Sequence, residues 1–527
     1  MVGGWGSKRR NDLSVKTTRR KFLKAVGAGA AWIVLTNMPG CEPAGGTQKK
    51  MPSTTVSPVQ PKTAQTGHSQ SAQPEYVRTF RSRPDLSPPA VEVSTQAHNT
   101  APGYIFVAPK GYPGHDGPMI LDNRGQPVWF HQSKDGVASD FKVQHYRGEP
   151  VLTWAEGRVV AGHGLSEYVI LDSSYRELKR VRAGNGYKGD LHEFLITQQD
   201  TALFTIYSPV RRDLTSVGGS RYGGVVDGIV QEVNIETGEV LFEWHSLEHV
   251  SIEESYGEPP KNPRLSFDYL HINSIDVDHD SNLLVSGHKA FTVYKIDRES
   301  GEIIWRLGGK KSDFEMGEGT RTGFQHDARR QPDGTITILD NAAARRVQHL
   351  SRGIVLELDE EEMAATLVRE YTHPDNLFAA TQANMQVLPN ANVFIGWGNQ
   401  PLFSEFSNEG KLLFDASFPS KVESYRAFRF AWRAHPSEEP AIAAERGSEN
   451  EVTIYASWNG ATEVSSWRVL AGPSPERLEP IGSAVRREGF ETAIVVSGVE
   501  QRYFGVQARD GSGRVLGASE AVRPVIG

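Results

Sequence analysis

The chain has 527 residues, of which 38% are hydrophobic and 9% aromatic, enough for substantial cores and for more than one domain. Its 57 basic and 64 acidic side chains give a formal net charge of −7, and this acidic balance without a basic stripe argues against nucleic acid as a partner. The 52 glycines and 30 prolines indicate many turns, as an all-β architecture needs.

Residues 1–41 have the pattern of an export signal. Thr18-Arg19-Arg20-Lys21-Phe22-Leu23-Lys24 matches the twin-arginine motif, and the apolar stretch 25–36 that follows is too short to span a bilayer. Cys41 follows Gly40 in a lipobox-like sequence, so we expect its thiol to be acylated; cleavage nearby and an uncleaved anchor are the alternatives. Because Cys41 is the only cysteine, an intrachain disulfide is impossible.

These features predict export by the twin-arginine route to the cell envelope. The protein would be attached to the membrane through a lipid, on the outer face of the cytoplasmic membrane or in a periplasm. Residues 42–82 are predicted to be a disordered linker, because the stretch 42–73 is rich in Pro, Thr, Ser and Gln and cannot offset its ordering entropy by burial. Such a tether would hold the following domain away from the membrane.

One hairpin pattern recurs six times between residues 83 and 436. Each copy has an apolar strand, a polar turn and a second strand, and the turns begin at Asp122, Asp172, Asn234, Asp297, Asp359 and Ser407. A second hairpin alternates with the first, so each period supplies the four strands of one propeller blade. We therefore predict a six-bladed β-propeller over 83–436; an array of separate sandwiches is the alternative.

The pattern changes after Pro436. Segments 452–458, 466–470 and 503–508 alternate in polarity as the strands of a small sandwich do. Residues 437–527 are therefore predicted to form a fibronectin type III-like β-sandwich that acts as a spacer or contact domain. The predicted fold class is all-β, a propeller followed by a sandwich.

Equivalent positions of successive blades converge on the channel of a propeller. His192, His271 and His326 occupy similar places in their repeats, so we expect their imidazoles to meet in one pocket. Neighbouring strand ends add polar residues to this region, namely Gln382, Asn384, His288, Asn341, Arg345 and Arg346. The alternative for each histidine is a strand-end side chain that bonds to nearby backbone.

The composition of this cluster indicates its ligand. Three imidazoles beside arginines, without matching carboxylates, favour an anionic substrate over a metal ion. A zinc site made by the three histidines is the alternative. No metal or other cofactor is predicted.

Several segments carry the residues just described: Tyr269-Leu270-His271-Ile272-Asn273-Ser274-Ile275, Phe324-Gln325-His326-Asp327, Asp340-Asn341, Asp190-Leu191-His192-Glu193-Phe194 and Ser424-Tyr425-Arg426-Ala427-Phe428-Arg429. They resemble the arylsulfotransferase family, and within it the actinobacterial and fungal branch. The resemblance implies sulfuryl transfer between phenolic compounds, independent of PAPS, through a sulfohistidine. It also implies that His271 and His326 are active-site histidines and that Arg345 or Arg346 is the active-site arginine.

One position departs from the family pattern. The resemblance implies that the sulfated histidine stands just before the Tyr425-Arg426 pair, where this chain has Ser424. His271, His326 or His192 would then have to replace it, or the chain does not transfer sulfate.

We predict an exported aryl sulfate sulfotransferase that acts on small phenols or sulfate esters. Its nucleophile and acid–base would be His271 and His326, with Arg345 or Arg346 as the anion clamp. The expected substrate-binding residues are His192, Asn273, Asn341, Asn384, Tyr425 and Arg426. A non-catalytic cell-surface propeller that binds a ligand or polymer, and a metal-dependent or quinone-dependent propeller enzyme, are the alternatives, and the oligomeric state is left open.

Overall fold

A computed structural model describes residues 76–526 except 112, 135, 263, 343–348 and 448–450. The predicted signal, Cys41, residues 42–75 of the predicted linker, Arg345 and Arg346 lie outside this part of the chain. The structure is 49% strand and 2% helix, which confirms the all-β class. Within residues 76–526, apart from the gaps just given, the helical turns are α1 (Ser246–His249) and two 3-10 turns (Thr215–Val217 and Ile252–Glu254). Among the described residues, none of the helices has the length and apolar character needed to cross a bilayer.

The strands before residue 436 are largely buried, and the longest of them, β6, β10 and β11, have 12 residues each. The first of them are β1 (Glu92–Thr95), β2 (Tyr104–Lys110), β3 (Met119–Leu121), β4 (Pro127–Phe130), β5 (Val137–Tyr146), β6 (Glu149–Val160), β7 (His163–Leu171), β8 (Glu177–Val181), β9 (Phe194–Ile196), β10 (Thr201–Arg212), β11 (Gly223–Asn234), β12 (Val240–His245) and β13 (Ser266–Phe267). They are followed by β14 (Ile272–Val277), β15 (Leu283–Gly287), β16 (Thr292–Ile296), β17 (Ile303–Gly308), β18 (Glu315–Met316), β19 (His326–Arg330), β20 (Ile336–Asp340), β21 (Arg352–Asp359), β22 (Ala364–Thr372), β23 (Asn384–Val387), β24 (Val393–Gly396), β25 (Leu402–Phe406), β26 (Leu412–Ser417) and β27 (Glu423–Phe430).

Within the described part of the chain, these strands form six sheets. The principal strands of the sheets are β5 to β8, β9 to β12, β14 to β17, β19 to β22, β23 to β26, and β27 with β2, β3 and β4; the short strands β1, β13 and β18 are added to them. The inner part of each sheet contacts the next sheet, and β27 contacts β5, so the six sheets form a closed ring.

The two ends of this region are hydrogen-bonded to each other. β27 pairs antiparallel with β2, with Phe428 opposite Phe106, and β1 pairs with β26. One sheet therefore combines the last strand of the region with three of its first strands. Ladder hydrogen bonds, and not side-chain packing alone, hold the ring closed.

The repeated turn occupies the same place in every sheet, between its third and fourth principal strands. Oδ1 of Asp122 accepts the backbone N–H groups of Arg124 and Gln126 at 2.8 and 2.9 Å. The same kind of contact is made by the side chains of Asp172, Asn234, Asp297, Asp359 and Ser407. A short polar side chain that bonds its own turn explains why Asp, Asn or Ser recurs at this point.

Two further sheets follow residue 436. Their strands are β28 (Ala441–Arg446), β29 (Glu451–Ser457), β30 (Ser466–Gly472), β31 (Glu479–Pro480), β32 (Val485–Arg486), β33 (Glu491–Ser497), β34 (Tyr503–Arg509), β35 (Val515–Ala518) and β36 (Val525–Ile526). The sheets enclose a core that includes Trp458, Trp467 and Phe504. The side-chain amide of Asn459 exchanges two 2.9 Å hydrogen bonds with the backbone of Phe130, which fixes this part of the chain to the ring.

Residues 76–82, predicted to belong to the disordered linker, are instead ordered. The ring of Phe80 lies 4.3 Å from that of Phe490, and the backbone N–H of Ser82 donates to Glu491 at 2.6 Å. Val77 also forms a bridge with Pro89. Order begins before residue 83 because the sheets that follow residue 436 offer both an aromatic contact and a carboxylate acceptor to this segment.

Candidate functional site

Five imidazoles of the described residues form one cluster: they lie at or just before the starts of β7, β9, β14 and β19 and just after β15. The ring centroid of His271 lies 5.4 Å from that of His163, 4.7 Å from that of His192 and 5.1 Å from that of His288. His288 in turn lies 4.9 Å from His326. The structure therefore brings the three histidines selected from the sequence into one cluster, with His288 between His271 and His326.

His271 is paired with an acid on the same segment of chain. Its Nδ1 lies 2.6 Å from Oδ2 of Asp268, so the carboxylate accepts the Nδ1 proton and the Nε2 lone pair is left for chemistry. Burial opposes ionisation of Asp268, but the charge and hydrogen bond of His271 outweigh it and lower the pKa of the carboxyl to about 2. Asp268 is therefore a carboxylate throughout the physiological pH range.

His192 has an equivalent partner. Its Nδ1 lies 2.5 Å from Oδ2 of Asp190, which also accepts the hydroxyl of Thr205 at 3.1 Å. Burial lowers the pKa of His192 although the Asp190 carboxylate opposes this shift. The His192 ring meets that of His271 nearly edge to face, with 84° between the two planes. Two aspartate-bound imidazoles are thus in contact.

His326 is held in a different way. Its Nδ1 lies 2.7 Å from Oδ1 of Asn341, and the backbone N–H of Gln382 donates to its Nε2 at 3.2 Å. The residue is 2% exposed, and burial lowers its pKa well below the usual value. Both ring nitrogens are occupied, so the predicted role of His326 as nucleophile or acid–base does not fit its contacts. Asn341, predicted to bind substrate, instead orients this ring.

Two tyrosines border the histidines. The ring of Tyr207 lies 4.1 Å from that of His163, and the ring of Tyr425 lies 5.4 Å from that of His192. The Tyr425 hydroxyl donates to the carbonyl oxygen of Asn273 at 3.2 Å, and burial raises the pKa of both phenols well above the usual value.

Burial also lowers the pKa of His163 to about 4, so its ring is neutral at pH 7.

Arg426, predicted to bind substrate, lies in a buried ionic network next to the cluster. Its guanidinium is 2.7 Å from Asp140 and 3.1 Å from Glu193, and it also donates to the carbonyl of Asn273. Lys142 bonds to the same two carboxylates at 2.6 and 2.7 Å. Because Arg426 is 2% exposed and neutralised by these acids, we assign it to the interior of the ring and not to substrate binding.

The asparagines Asn273 and Asn384 also bond neighbouring sheets together. The side-chain amide of Asn273 donates to the carbonyl of Gln325 at 2.7 Å. The side chain of Asn384 exchanges two 2.8 Å hydrogen bonds with the backbone of Ala427. These contacts place both side chains in the structure of the ring, and Asn384 is reassigned from substrate binding to the contact between two sheets.

Ser424 has backbone partners of its own. Its hydroxyl accepts the N–H of Ala108 at 3.0 Å and donates to the carbonyl of Arg426 at 2.6 Å. The residue that replaces the expected nucleophile therefore stabilises the junction of β2 and β27.

A pocket of about 600 Å³ opens beside the histidines. Its wall includes the polar residues His163, Tyr207 and Asp268, the cations Lys289 and Arg264, and the apolar residues Leu165, Pro209, Val226, Leu265 and Phe267. This volume is within the range of small-molecule sites. The wall thus combines apolar side chains with two cations and one further carboxylate, that of Glu258.

Sequence reasoning missed Asp190, Asp268, His163, Tyr207 and Lys289. The expectation that the histidines have no matching carboxylates is wrong, because Asp190 and Asp268 bond to two of them. The signal was an aspartate two residues before His192 and three before His271. Nothing comparable marks His163 or Tyr207, which reach the cluster from β7 and β10.

Comparison with known proteins adds one specific result. No curated protein matches the chain. A solved structure of a protein of unknown function from Bacteroides caccae is 14% identical, with a TM-score of 0.38, and the match covers 62% of this chain and 98% of that one. A catalytically inactive virginiamycin B lyase from Staphylococcus aureus with quinupristin is 9% identical, with a TM-score of 0.34 and coverage of 70% and 97%. The family model described as arylsulfotransferase (ASST) matches residues 142–419, more than half of the sequence, and the chain therefore belongs to the arylsulfotransferase family.

Proposed function

We propose that this protein is an aryl sulfate sulfotransferase that moves a sulfuryl group from an aryl sulfate to a phenol, with His271 as the nucleophile and without PAPS. The observation that carries the proposal is the contact between Asp268 and His271 beside a pocket with apolar and cationic walls. Membership of the arylsulfotransferase family supports the reaction class.

The first half-reaction forms a sulfohistidine. The Nε2 lone pair of His271 bonds to the sulfur of the donor while the bond between sulfur and the aryl oxygen breaks, and the phenolate leaves with that electron pair. Protonated His192, whose charge the Asp190 carboxylate balances, gives its Nε2 proton to the phenolate. Burial lowers the pKa of His192 and the Asp190 carboxylate opposes this shift, so the protonated ring is a strong acid that is populated more as the pH falls.

The second half-reaction restores the enzyme. Neutral His192 takes the proton of the acceptor phenol, the acceptor oxygen bonds to sulfur, and the bond between sulfur and His271 breaks. The electron pair of that bond returns to Nε2. The cycle consumes one aryl sulfate and one phenol, releases one of each, and predicts ping-pong kinetics.

Cations beside the pocket would stabilise the charge on the sulfuryl oxygens. Lys289 and Arg264 are the described candidates, and the Lys289 ammonium lies 5.2 Å from the ring centroid of Phe324. Arg345 and Arg346 remain predicted anion-binding residues from the family resemblance. The aryl group would contact Leu165, Val226 and Phe267.

The architecture and location complete the proposal. The closed ring of six sheets would be a six-bladed β-propeller over residues 83–436, and residues 437–527 a fibronectin type III-like sandwich. The twin-arginine motif and Cys41 support export and a lipid anchor in the cell envelope. A Cys41→Ser variant is expected to move from the membrane fraction to the soluble fraction, and unchanged fractionation would contradict the lipid anchor.

The proposal is tested with purified protein, 4-nitrophenyl sulfate and phenol. Without phenol, at most one nitrophenol per chain is expected to be released; sustained release should require phenol, with phenyl sulfate formed in equal amount. The His271→Ala variant should lose this activity, whereas His279→Ala, an exposed histidine in the turn between β14 and β15, should keep it. Turnover without an acceptor would indicate a hydrolase, and binding of the donor without turnover would favour a non-catalytic propeller.

A further inference from the structure

His163, Asp268 and His271 form a compact group of metal-ligating side chains. One nitrogen of each ring and one carboxylate oxygen all lie within 4.8 Å of one another. Nε2 of His163 is 3.6 Å from Oδ2 of Asp268. Ligand atoms of a tetrahedral ion with bonds of about 2.1 Å are about 3.4 Å apart, so small side-chain rotations would bring the three groups to bonding distance.

Two potential ligand atoms without a hydrogen-bond partner support the same site. Nδ1 of His163 and Oδ1 of Asp268 are buried and have no hydrogen-bond partner among the described residues. Such atoms are costly in a protein interior unless something bonds to them. Asp268 can therefore offer Oδ1 to an ion, and Nδ1 of His271 can exchange its hydrogen bond to Oδ2 for a bond to the same ion once its proton has moved to Nε2.

The three side chains also lie where a bound metal ion would be accessible from the pocket. His163 and Asp268 both line the pocket, so an ion held by three protein ligands would keep a coordination position accessible to small molecules. Two imidazoles and one carboxylate suit Zn²⁺, Co²⁺ and similar divalent ions, whereas Mg²⁺ and Ca²⁺ prefer oxygen ligands.

We propose that His163, Asp268 and His271 bind a divalent transition metal ion, with Zn²⁺ as the representative ion, and that the bound ion inhibits sulfuryl transfer. The inhibition rests on the proposed function, but the binding does not. Metal coordination uses the imidazole of His271 and the carboxylate of Asp268, the same two groups that the transfer reaction needs. The site is thus occupied by either the metal ion or a reacting sulfuryl group.

Binding is measured first, without substrate. Chelator-treated protein is titrated with Zn²⁺ in a calorimeter, and bound zinc is counted after gel filtration. One zinc ion per chain is expected, and His163→Gln should weaken binding by at least about 10-fold because one of three ligands is lost. The His279→Ala variant serves as the control for a histidine outside the group.

Two results would overturn the metal site. One is the absence of zinc binding by the wild type at micromolar concentrations. The other is equal binding by the His163→Gln and His279→Ala variants. Asp268→Asn provides a second ligand variant, and circular dichroism spectra establish that each variant is folded.

Inhibition is measured for each variant as the ratio of its transferase rates with and without Zn²⁺. Differences in basal rate between variants therefore do not affect the comparison. The wild type should be inhibited and recover when a chelator is added, and His163→Gln should need at least about 10-fold more zinc. Zinc binding together with faster transfer would overturn the inhibition and the role of His271, while the metal site would stand. Zinc binding in a protein without transferase activity would refute only the proposed function.

Discussion

The carboxylate of Asp268 lies 2.6 Å from Nδ1 of His271, only three residues away along the chain, just before β14. His271 has a φ of 54°, in the left-handed region that non-glycine residues seldom adopt. The neighbouring hydrogen bond and the packed rings compensate for this strain. One short segment therefore supplies both the imidazole and the group that sets its tautomer.

The Asp268→Asn variant tests this orientation. The amide keeps the size of the carboxylate but removes the charge that balances a developing positive charge on His271. We expect kcat/KM for 4-nitrophenyl sulfate and phenol to fall by about 100-fold or more. A change of less than about threefold would contradict the pairing as a catalytic feature.

His192 is predicted to carry the proton of the departing phenol. The His192→Gln variant can still bond to Asp190 but cannot transfer a proton. We expect kcat/KM for the donor, which reports only the first half-reaction, to fall about 100-fold with phenyl sulfate and much less with 4-nitrophenyl sulfate, because nitrophenolate leaves without protonation. Steady-state rates with both donors measure the difference; equal losses would assign His192 a structural role.

His326→Ala separates a structural histidine from a catalytic one. Asn341 and the N–H of Gln382 both lose their partner in this variant, so we expect the free energy of unfolding to fall by about 1–3 kcal/mol. Thermal unfolding measures the loss, and transferase rates well below the melting transition should stay within about 10-fold of wild type. A rate loss as large as that of His271→Ala would restore His326 as a catalytic residue.

Ser424→Ala examines the departure from the family pattern. Because the Ser424 hydroxyl bonds only to backbone groups, we expect transferase activity to be unchanged and stability to fall by about 1 kcal/mol. Parallel activity and melting measurements check both parts. Loss of activity with unchanged stability would place the nucleophile at Ser424 after all.

The sequence allowed the hairpin turns and three of the clustered histidines to be predicted, because both depend on local pattern. Asp, Asn or Ser in each turn bonds to its own backbone, and His192, His271 and His326 occupy matching places in their repeats. The chemistry of each ring could not be predicted in the same way. It depends on whether the partner is an aspartate, as for His271, or an amide and a backbone N–H, as for His326.

His163 and Arg426 show that contacts between segments far apart in sequence could not be predicted either. His163 begins β7 and has no counterpart in the other repeats, so only the ring of sheets brings it to Asp268. Arg426 has the charge expected of an anion-binding residue, but its neighbours Asp140 and Glu193 are more than 200 residues away in sequence. Charge type is visible in a sequence, whereas neutralisation by distant residues is not.

Arg426 is also the basis of a stability prediction. Removing its charge in Arg426→Met leaves Asp140 and Glu193 with fewer buried partners, and we expect a loss of roughly 3–5 kcal/mol. The control is Arg180→Met, which removes two ion pairs nearer the surface, with Glu156 and Glu177, and should cost about 0–1 kcal/mol for each pair. Similar melting temperatures for the two variants would contradict a structural role for the buried network.

His245 gives a prediction about pH. Its hydrogen bonds to Asp227 at 2.7 Å and Glu243 at 3.2 Å raise its pKa to about 10. A raised folded-state pKa stabilises the protein below the unfolded value of about 6.5, and this stabilisation is lost as pH rises towards 10. The melting temperature should therefore fall more between pH 6.5 and pH 10 in the wild type than in His245→Gln. If the melting temperatures of the wild type and His245→Gln fell in parallel with pH, Asp227 and Glu243 would not stabilise the protonated form of His245.

The most direct test of the sulfohistidine is the intact mass of the protein after rapid mixing with 4-nitrophenyl sulfate in the absence of a phenol. The wild type is predicted to gain the mass of one sulfuryl group, to lose it when phenol is added, and to yield a peptide sulfated at His271. The His271→Ala variant should gain nothing. An adduct on another residue, or transfer to phenol without any adduct, would contradict the central role given to His271.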